Sequence, residues 1–378
     1  MTGVRVALLP NFPQERWPSM DLCAEMLHAH WPAGVGPLTR TVPPFARLAG
    51  RLPGVGRRKV AVNADRLFNR FVAYPRFARR LADRFDAFHV ADHSYAALVA
   101  ALPAGRAGVT VFDLDAFGCL LDPAADPRPR WFRALTRRVL AGVRQAAVVF
   151  VASRTVGEQL RRTGLIDPAR LRYAPVGVAP EFAPHGVAET PPWLSALRGR
   201  PWVAHVGSCV PRKRIDVLLE VVARLRLQHP ELHLVKVGGE FTAAHRALIA
   251  RHGLSGAITH VHDLSRGELA AVYRAAPAVL QPSAAEGFGL PVVEALACGA
   301  AVVASDLPVL REVGGDAVAF APVGDLDAWA ATVHGVLTRP RPPADRAAAL
   351  AWAGQFTWTR HAETVAAAYR DLVGRRCG

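Results

Sequence analysis

The stretch Pro282-Ser283-Ala284-Ala285-Glu286-Gly287-Phe288-Gly289-Leu290-Pro291-Val292-Val293-Glu294-Ala295-Leu296-Ala297-Cys298-Gly299 follows a short apolar run, Ala278 to Gln281, and opens into a helical pattern. Pro291 suits the first helical position, where its missing N–H costs nothing. Gly287 and Gly289 let backbone approach a ligand without a Cβ in the way. Unpaired N–H groups and the positive dipole end at such a helix start favour phosphate or sugar oxygens. Glu286 falls in the loop and Glu294 in the first turns. One carboxylate can therefore reach sugar hydroxyls and the other a ribose diol, each as a bidentate acceptor. A plainer reading has Glu294 complementing the helix dipole and Glu286 solvated.

A second stretch repeats the pattern of strand, glycine turn and helix: Val206-Gly207-Ser208-Cys209-Val210-Pro211-Arg212-Lys213-Arg214-Ile215-Asp216. Arg212 and Lys213 stand at the helix entrance, where a guanidinium and an ammonium can compensate charge building on the β-phosphate of a departing nucleoside diphosphate. A basic tripeptide before a helix is also a common surface feature. The strand ends of an open α/β sheet are where ligands bind, so two such turns in one half point to a shared site.

Outward from these stretches, short apolar runs alternate with helical patterns. They are Val4 to Leu9, Ala87 to Ala91, Gly108 to Phe112, Ala147 to Ala152 and Leu171 to Ala174, then Trp202 to Val206, Leu232 to Val237, Ile258 to Val261, Ala278 to Gln281, Ala301 to Ala304 and Val318 to Phe320. Alternating strands and helices predict an α/β chain with two doubly wound, Rossmann-like halves of parallel sheet. The proline-rich stretch Ala183 to Leu197 reads as the linker between them.

With 51% apolar and 20% charged residues over 378 positions, the chain is not a disordered polymer. Five cysteines, at 23, 119, 209, 298 and 377, lack the spacing of a disulfide or zinc framework. No apolar run approaches the about 18 residues of a membrane span, and the N-terminus lacks the order of a signal peptide. A cytoplasmic protein is expected.

The net charge of +15 is uneven: residues 1–200 contribute +13 and residues 201–378 only +2. Arg40 to Arg84 holds twelve basic residues against Asp65 and Asp83. Leu48, Leu52, Phe68, Phe71, Val72, Tyr74 and Phe77 are interspersed among them, as a segment at an anionic membrane surface requires. An arginine-rich proteome with solvated surfaces accounts for the same residues. No zinc-finger or RNP-type motif supports nucleic acid.

The chain resembles a retaining glycosyltransferase of the GT-B fold, in family 4 (glycosyltransferase group 1). The residues that carry the likeness are VGSCVPRKRIDVLLEV, LHLVKVGG, the long stretch from LAAVYRAAPAVLQPSAAEGFGLPVVEALACG to LREVGG, and FTWTRHAETVAAAYRDL. In the first half VVFVASRTVGEQL and LRYAPVGVAPEFAP match more weakly. The resemblance implies two Rossmann-like domains facing across a cleft. Residues 1–187 would bind the acceptor and 188–359 the nucleotide sugar, with the helix 360–378 packing back on the first domain. Glu286 would contact donor sugar hydroxyls, Glu294 the ribose, and Arg212 and Lys213 the diphosphate. Gly207, Ser208 and the backbone of Gly287, Phe288, Gly289 and Leu290 would line the donor. The implied reaction moves a sugar from a UDP- or GDP-linked donor to an acceptor hydroxyl, on a glycan or lipid-linked acceptor, with retention. The donor's own phosphate takes the acceptor proton. Neither a cofactor nor a metal is expected.

Some positions depart from the family pattern. Phe112 stands where many relatives have the histidine of a His-Asp pair, while Asp113 keeps its place. His93, after the strand ending at Ala91, is the nearest substitute, and His93 and Asp113 are candidate catalytic residues. Asp113-Leu114-Asp115 reads as acceptor wall rather than metal ligand. Pro10-Asn11-Phe12-Pro13 replaces the usual glycine-rich loop, and Pro175-Val176-Gly177 replaces proline, asparagine, glycine. An epimerase or phosphorylase of the same architecture and a non-catalytic nucleotide-sugar-binding protein remain as alternatives. A peripheral place at the inner membrane face, through Arg40 to Arg84, completes the expectation.

Overall fold

The computed structural model describes residues 3–51, 59–186, 190–339 and 341–377. The chain divides into two compact units, Met1–Gly177 with Trp358–Gly378, and Val178–Thr357. The division falls at Gly177/Val178, ten residues before the expected boundary at 187/188. Part of the proline-rich stretch, 187–189, lies outside the described residues, and Pro192–Ser195 within it forms a helical turn.

The first unit holds six parallel strands: β1 (Val6–Leu9), β2 (Leu38–Arg40), β3 (Ala87–Val90), β4 (Ala107–Val111), β5 (Val148–Val151) and β6 (Leu171–Tyr173), in the order β2-β1-β3-β4-β5-β6. Residues β1, β3, β4 and β5 are buried throughout. Strands covered on both faces read as near-continuous apolar runs, and the two polar exceptions here, His89 of β3 and Thr110 of β4, meet each other at 3.2 Å. Ala7 and Leu9 point into one core with Phe12, Tyr74, Phe88 and Val109, and Val6 and Leu8 into another with Phe150 and Ala174. The last helix, Trp358–Cys377, supplies Ala362, Val365 and Tyr369 to that second core. β2 has no counterpart among the sequence-predicted strands. Only Leu38 of its three residues is buried, so this edge strand carries almost no apolar signal.

The second unit holds β7 (Trp202–Val206), β8 (His233–Val237), β9 (Ile258–Val261), β10 (Val279–Gln281), β11 (Val302–Ser305) and β12 (Val318–Ala321), ordered β12-β11-β10-β7-β8-β9 and again parallel. Strand order reverses between β7 and β10, so the crevice outside their carboxyl ends is the place for a ligand. The helix Ile215–Arg226 packs Ile215, Leu218, Leu219 and Val222 inward at helical spacing.

In the basic segment, Asp65 of the helix Lys59–Phe68 accepts from the backbone N–H groups of Leu48, Ala49 and Gly50 at 2.8–2.9 Å. Asn69 exchanges two hydrogen bonds with the backbone of Ala46, at 2.8 and 2.7 Å. Leu52, Arg57 and Arg58 lie outside the described residues, as does the side chain of Lys59. Among the described residues no helix is long and apolar enough to cross a membrane.

Candidate functional site

The two stretches singled out in sequence leave β7 and β10, the strands on either side of the switch point. The backbone locks them together, because Ala284 N–H donates to Arg212 C=O at 2.7 Å. Arg212 and Lys213 form a 3-10 turn, Pro211–Lys213, closed by Arg214 in the left-handed conformation at φ 48°. A side chain there is strained by about 1–3 kcal/mol. Arg214 is held by Asp216, its Nε and Nη2 donating to the carboxylate at 3.0 and 2.9 Å. The third basic residue of the motif therefore shapes the turn that aims the first two.

Glu286 is the centre. Its Oε1 accepts from Lys213 Nζ at 2.6 Å, Gln281 Nε2 at 2.6 Å and Ser283 Oγ at 2.7 Å. Arg212 Nη1 lies 3.4 Å from Oε2 and donates to Ala285 C=O at 3.2 Å. Burial alone would raise the Glu286 pKa, yet Lys213, the Ser283 hydroxyl and Arg212 hold it below the ordinary glutamate value. The carboxylate is thus an ionised acceptor, and the two cations meet it rather than standing apart from it.

Glu294 sits differently. It is buried in the helix Leu290–Ala297, and Tyr273 Oη lies 3.3 Å from its Oε2. Burial drives its pKa up to about 8, against a small lowering by Tyr273. The helix begins at Leu290, one residue before the expected start at Pro291. Gly289 caps it at φ +100°, and a Cβ there would meet Leu310 Cδ2 at 2.8 Å. Only glycine fits that junction. Phe288 turns inward, its ring 5.7 Å from that of Phe356.

Beneath the loops lie three polar side chains that the sequence reading did not single out: His205, Lys236 and Gln281, all wholly buried at the carboxyl ends of β7, β8 and β10. Lys236 Nζ donates to the carbonyls of Gly207 at 2.7 Å and Val237 at 3.0 Å, and also to Gly238. Burial lowers its pKa to about 8. His205 Nδ1 donates to Leu280 C=O at 2.8 Å, and burial followed by Lys236 pushes its pKa down to about 3. The available signal was a polar residue at or next to the carboxyl end of a mostly apolar strand, as in WVAHV, HLVKV and VLQ. Gly207 itself donates to Val237 C=O at 3.1 Å. Ser208 and Cys209 back onto Gly239 so closely that a Cβ on Gly239 would lie 2.6 Å from Cys209 N.

His93 and Asp113 belong to the first unit, where the equivalent reversal of strand order lies between β1 and β3. His93 Nε2 is 3.7 Å from Asp113 Oδ1, and its Nδ1 is 3.4 Å from Asp92 Oδ1. Phe112, the position that lacks the family histidine, still reaches His93: its backbone N–H donates to Nδ1 at 3.4 Å. Asn11 Nδ2 donates to Asp92 Oδ2 at 2.8 Å, and Phe12 N–H to Tyr95 Oη at 3.3 Å. Buried Glu15 pairs with Arg70, whose guanidinium lies 4.4 Å from the Tyr95 ring centre. The segment without a glycine-rich loop therefore builds a side-chain network instead. Asn11, Glu15, Arg70 and Asp92 were not singled out, because their partners lie 55–81 positions away.

Two α/β units, each with its polar cluster at a reversal of strand order, define a GT-B architecture. Solved structures share it. A sucrose-phosphate synthase from Thermosynechococcus elongatus matches at TM-score 0.73 and 21% identity, covering 98% of this chain and 99% of that one. Anabaena HepE in complex with UDP-glucose matches at TM-score 0.72 and 16% identity, covering 97% and 100%. The family model for glycosyl transferases group 1 matches residues 194–350, and that for glycosyltransferase family 4 matches residues 28–182. The chain belongs to glycosyltransferase family 4. Its curated relatives include the D-inositol 3-phosphate glycosyltransferases of Stackebrandtia nassauensis, 34% identical over 224 residues, and Mycobacterium avium, 32% identical over 284 residues. These matches cover 56% and 65% of this chain, and 51% and 66% of the relatives' own length.

Proposed function

We propose that this protein transfers a sugar from a nucleoside diphosphate sugar to an acceptor hydroxyl, with retention at the anomeric carbon. The observation that carries the reading is the ionised Glu286 gripped by Lys213 and Arg212 at the switch point of the second unit. In this reading the donor diphosphate draws the two cations toward itself. Glu286 then turns its acceptor capacity to the sugar hydroxyls, while Glu294 takes the ribose diol. Positive charge against the leaving β-phosphate comes from Arg212 and Lys213 rather than from a metal. The donor phosphate accepts the proton of the incoming hydroxyl on the same face. The second unit is the donor side and the first the acceptor side, with His93 and Asp113 at the acceptor.

The relatives named for D-inositol 3-phosphate make a polyol phosphate the first acceptor to try. The test is a panel of UDP- and GDP-linked sugars, scored for donor hydrolysis alone and for product formation with acceptor. Release of nucleoside diphosphate and an α-linked product from an α-linked donor support the proposal. Interconversion of the donor sugar without acceptor marks an epimerase instead. Unchanged transfer by a Glu286→Ala variant removes the catalytic assignment.

A membrane-surface role for the basic segment is part of the same proposal. Val60, Val62 and Leu67 of the helix Lys59–Phe68 are 78%, 41% and 38% exposed, and Leu48 is 52% exposed. Nearby, Pro43, Pro44, Phe68, Phe77, Arg76 and Arg80 line one shallow groove. Exposed apolar side chains bordered by arginine suit an anionic bilayer. Vesicle binding should rise with anionic lipid and fall with salt. Binding undiminished in an Arg57, Arg58, Lys59 triple alanine variant counts against it.

A further inference from the structure

Apart from the donor loops, Glu240, His260 and His262 converge in the second unit. His260 is the third residue of β9 (Ile258–Val261), and His262 directly follows the strand's last residue. Glu240 comes from the neighbouring β8, through the Gly238–Gly239 turn, and β8 and β9 are in register at Lys236↔His260 and Val237↔Val261. Each of the three offers one ligand atom, and these atoms lie within 4.8 Å of one another. His262 Nε2 is already 3.3 Å from Glu240 Oε1, and the two imidazole rings are 4.1 Å apart.

We propose that Glu240, His260 and His262 form a metal site for a transition cation, Zn2+ in preference to Mg2+ or Ca2+. Two imidazoles and one carboxylate are the donor set of a zinc site with an open position, whereas Mg2+ and Ca2+ seek oxygen. The surroundings resemble the outer shell that metal-binding histidines need. His260 Nε2 lies 2.9 Å from Gly239 C=O, an acceptor only, so Nε2 carries the proton and Nδ1 keeps its lone pair. The Phe241 ring, 4.4 Å away, fixes the imidazole plane. Closing the cluster to tetrahedral distances requires a movement of about 1 Å, given metal–ligand bonds of about 2.0–2.1 Å. The Glu240 side chain, 81% exposed, can supply it.

The consequence is structural. A bound ion would tie the end of β8 to the end of β9 across the Gly238–Gly239 turn. The carbonyls of that turn hold Lys236 Nζ and Cys209 Sγ, the latter at 3.2 Å. The site would therefore clamp the turn that backs Gly207 and Ser208. This inference does not depend on the chain's being a glycosyltransferase.

The test uses the full chain, stripped with a chelator and dialysed. Zinc chloride is titrated by equilibrium dialysis, cobalt chloride is followed by its visible absorption, and thermal melts are run with each metal. One equivalent of Zn2+ bound, a raised Tm with Zn2+ but not Mg2+, and a loss of about 10-fold or more in affinity for His262→Ala and Glu240→Ala are expected. Both substitutions are at solvent-facing positions and spare the fold. His334→Ala, which breaks a separate histidine pair 3.0 Å apart with His229, should bind as the parent does. No stoichiometric Zn2+ in the parent, or undiminished binding in His262→Ala and Glu240→Ala, overturns the site.

Discussion

Lys213 Nζ donates to Glu286 Oε1 at 2.6 Å, with the two side chains only 10% and 5% exposed, so an ion pair stands where the proposed donor would enter. Desolvating two charges is costly, and the pair balances that cost only while both partners are present. On the proposed reading, the pair holds a neutralised cation in place for an incoming diphosphate.

Glu286→Gln should therefore fail in two ways. Transfer should fall by about 100-fold, as for loss of a group that positions the reacting sugar. Stability should drop by about 3–5 kcal/mol, because Lys213 is left buried beside a neutral amide. The double variant Lys213→Met, Glu286→Gln should regain much of the stability and none of the activity. Urea melts and steady-state rates on the same preparations separate the two effects.

Glu294 sets a pH dependence with a definite sign. Between the ordinary glutamate value of 4.5 and about 8, the folded chain holds a proton that the unfolded chain has lost. This group's stabilising contribution is complete below that window and declines as pH rises through it, by about 1.4 kcal/mol per pH unit. Glu294→Gln should flatten the dependence and raise the urea midpoint at pH 8 above that of the parent. A donor whose ribose hydroxyls donate to the carboxylate favours its charged form. Donor binding at pH 7 should then release a proton, detectable by calorimetry in buffers of different ionisation enthalpy.

Lys236 unites Gly207 and Gly238 through a wholly buried ammonium. Lys236→Met leaves those carbonyls without their donor, at a cost of about 1–3 kcal/mol. Donor KM should rise with little change in kcat, because the turns lose their set before chemistry begins. The sign of its pH effect is opposite to that of Glu294. Between about 8 and 10.5 the unfolded chain holds the extra proton, so Lys236 adds stability as pH rises, and the Met variant should lack that slope.

Apart from β2, the strands of both units were readable because parallel strands buried on two faces are mostly apolar, as in Val148–Val151 and the first three residues of Val302–Ser305. The loops carrying Glu286, Arg212 and Lys213 were readable because glycine and proline punctuate a strand-to-helix junction. Their mutual pairing was not, since 73 positions separate Lys213 from Glu286 and only the β7–β10 neighbourhood brings them together. Residues such as Arg70 escaped because a lone arginine in a basic segment looks like surface. Burial against Glu15 and Tyr95 is a tertiary fact. The unit boundary was misplaced for a related reason: prolines at 191 and 192 mark a break in secondary structure, while the compact units part earlier, after Gly177.

Among the side chains that return the last helix to the first unit, Tyr369 offers a direct test. Tyr369 Oη donates to Phe88 C=O at 3.0 Å and lies 2.9 Å from His89 Nδ1, all buried. A hydroxyl has one proton, so donation to the carbonyl leaves its oxygen to accept from His89 Nδ1–H. Burial pushes His89 down to about 3, so it stays neutral and cannot compensate by charging. Tyr369→Phe strips both partners at once, and each orphaned group costs about 1–3 kcal/mol. Gly108 makes room for the phenol, since a Cβ there would lie 2.3 Å from Tyr369 Oη and 2.8 Å from Val148 Cγ1. Gly108→Ala should therefore lower the Tm of the parent substantially but cost less in the Tyr369→Phe background, where the oxygen is gone. Equal losses in both backgrounds, measured by thermal melts of the four proteins, would show that the helix is held by its apolar face alone.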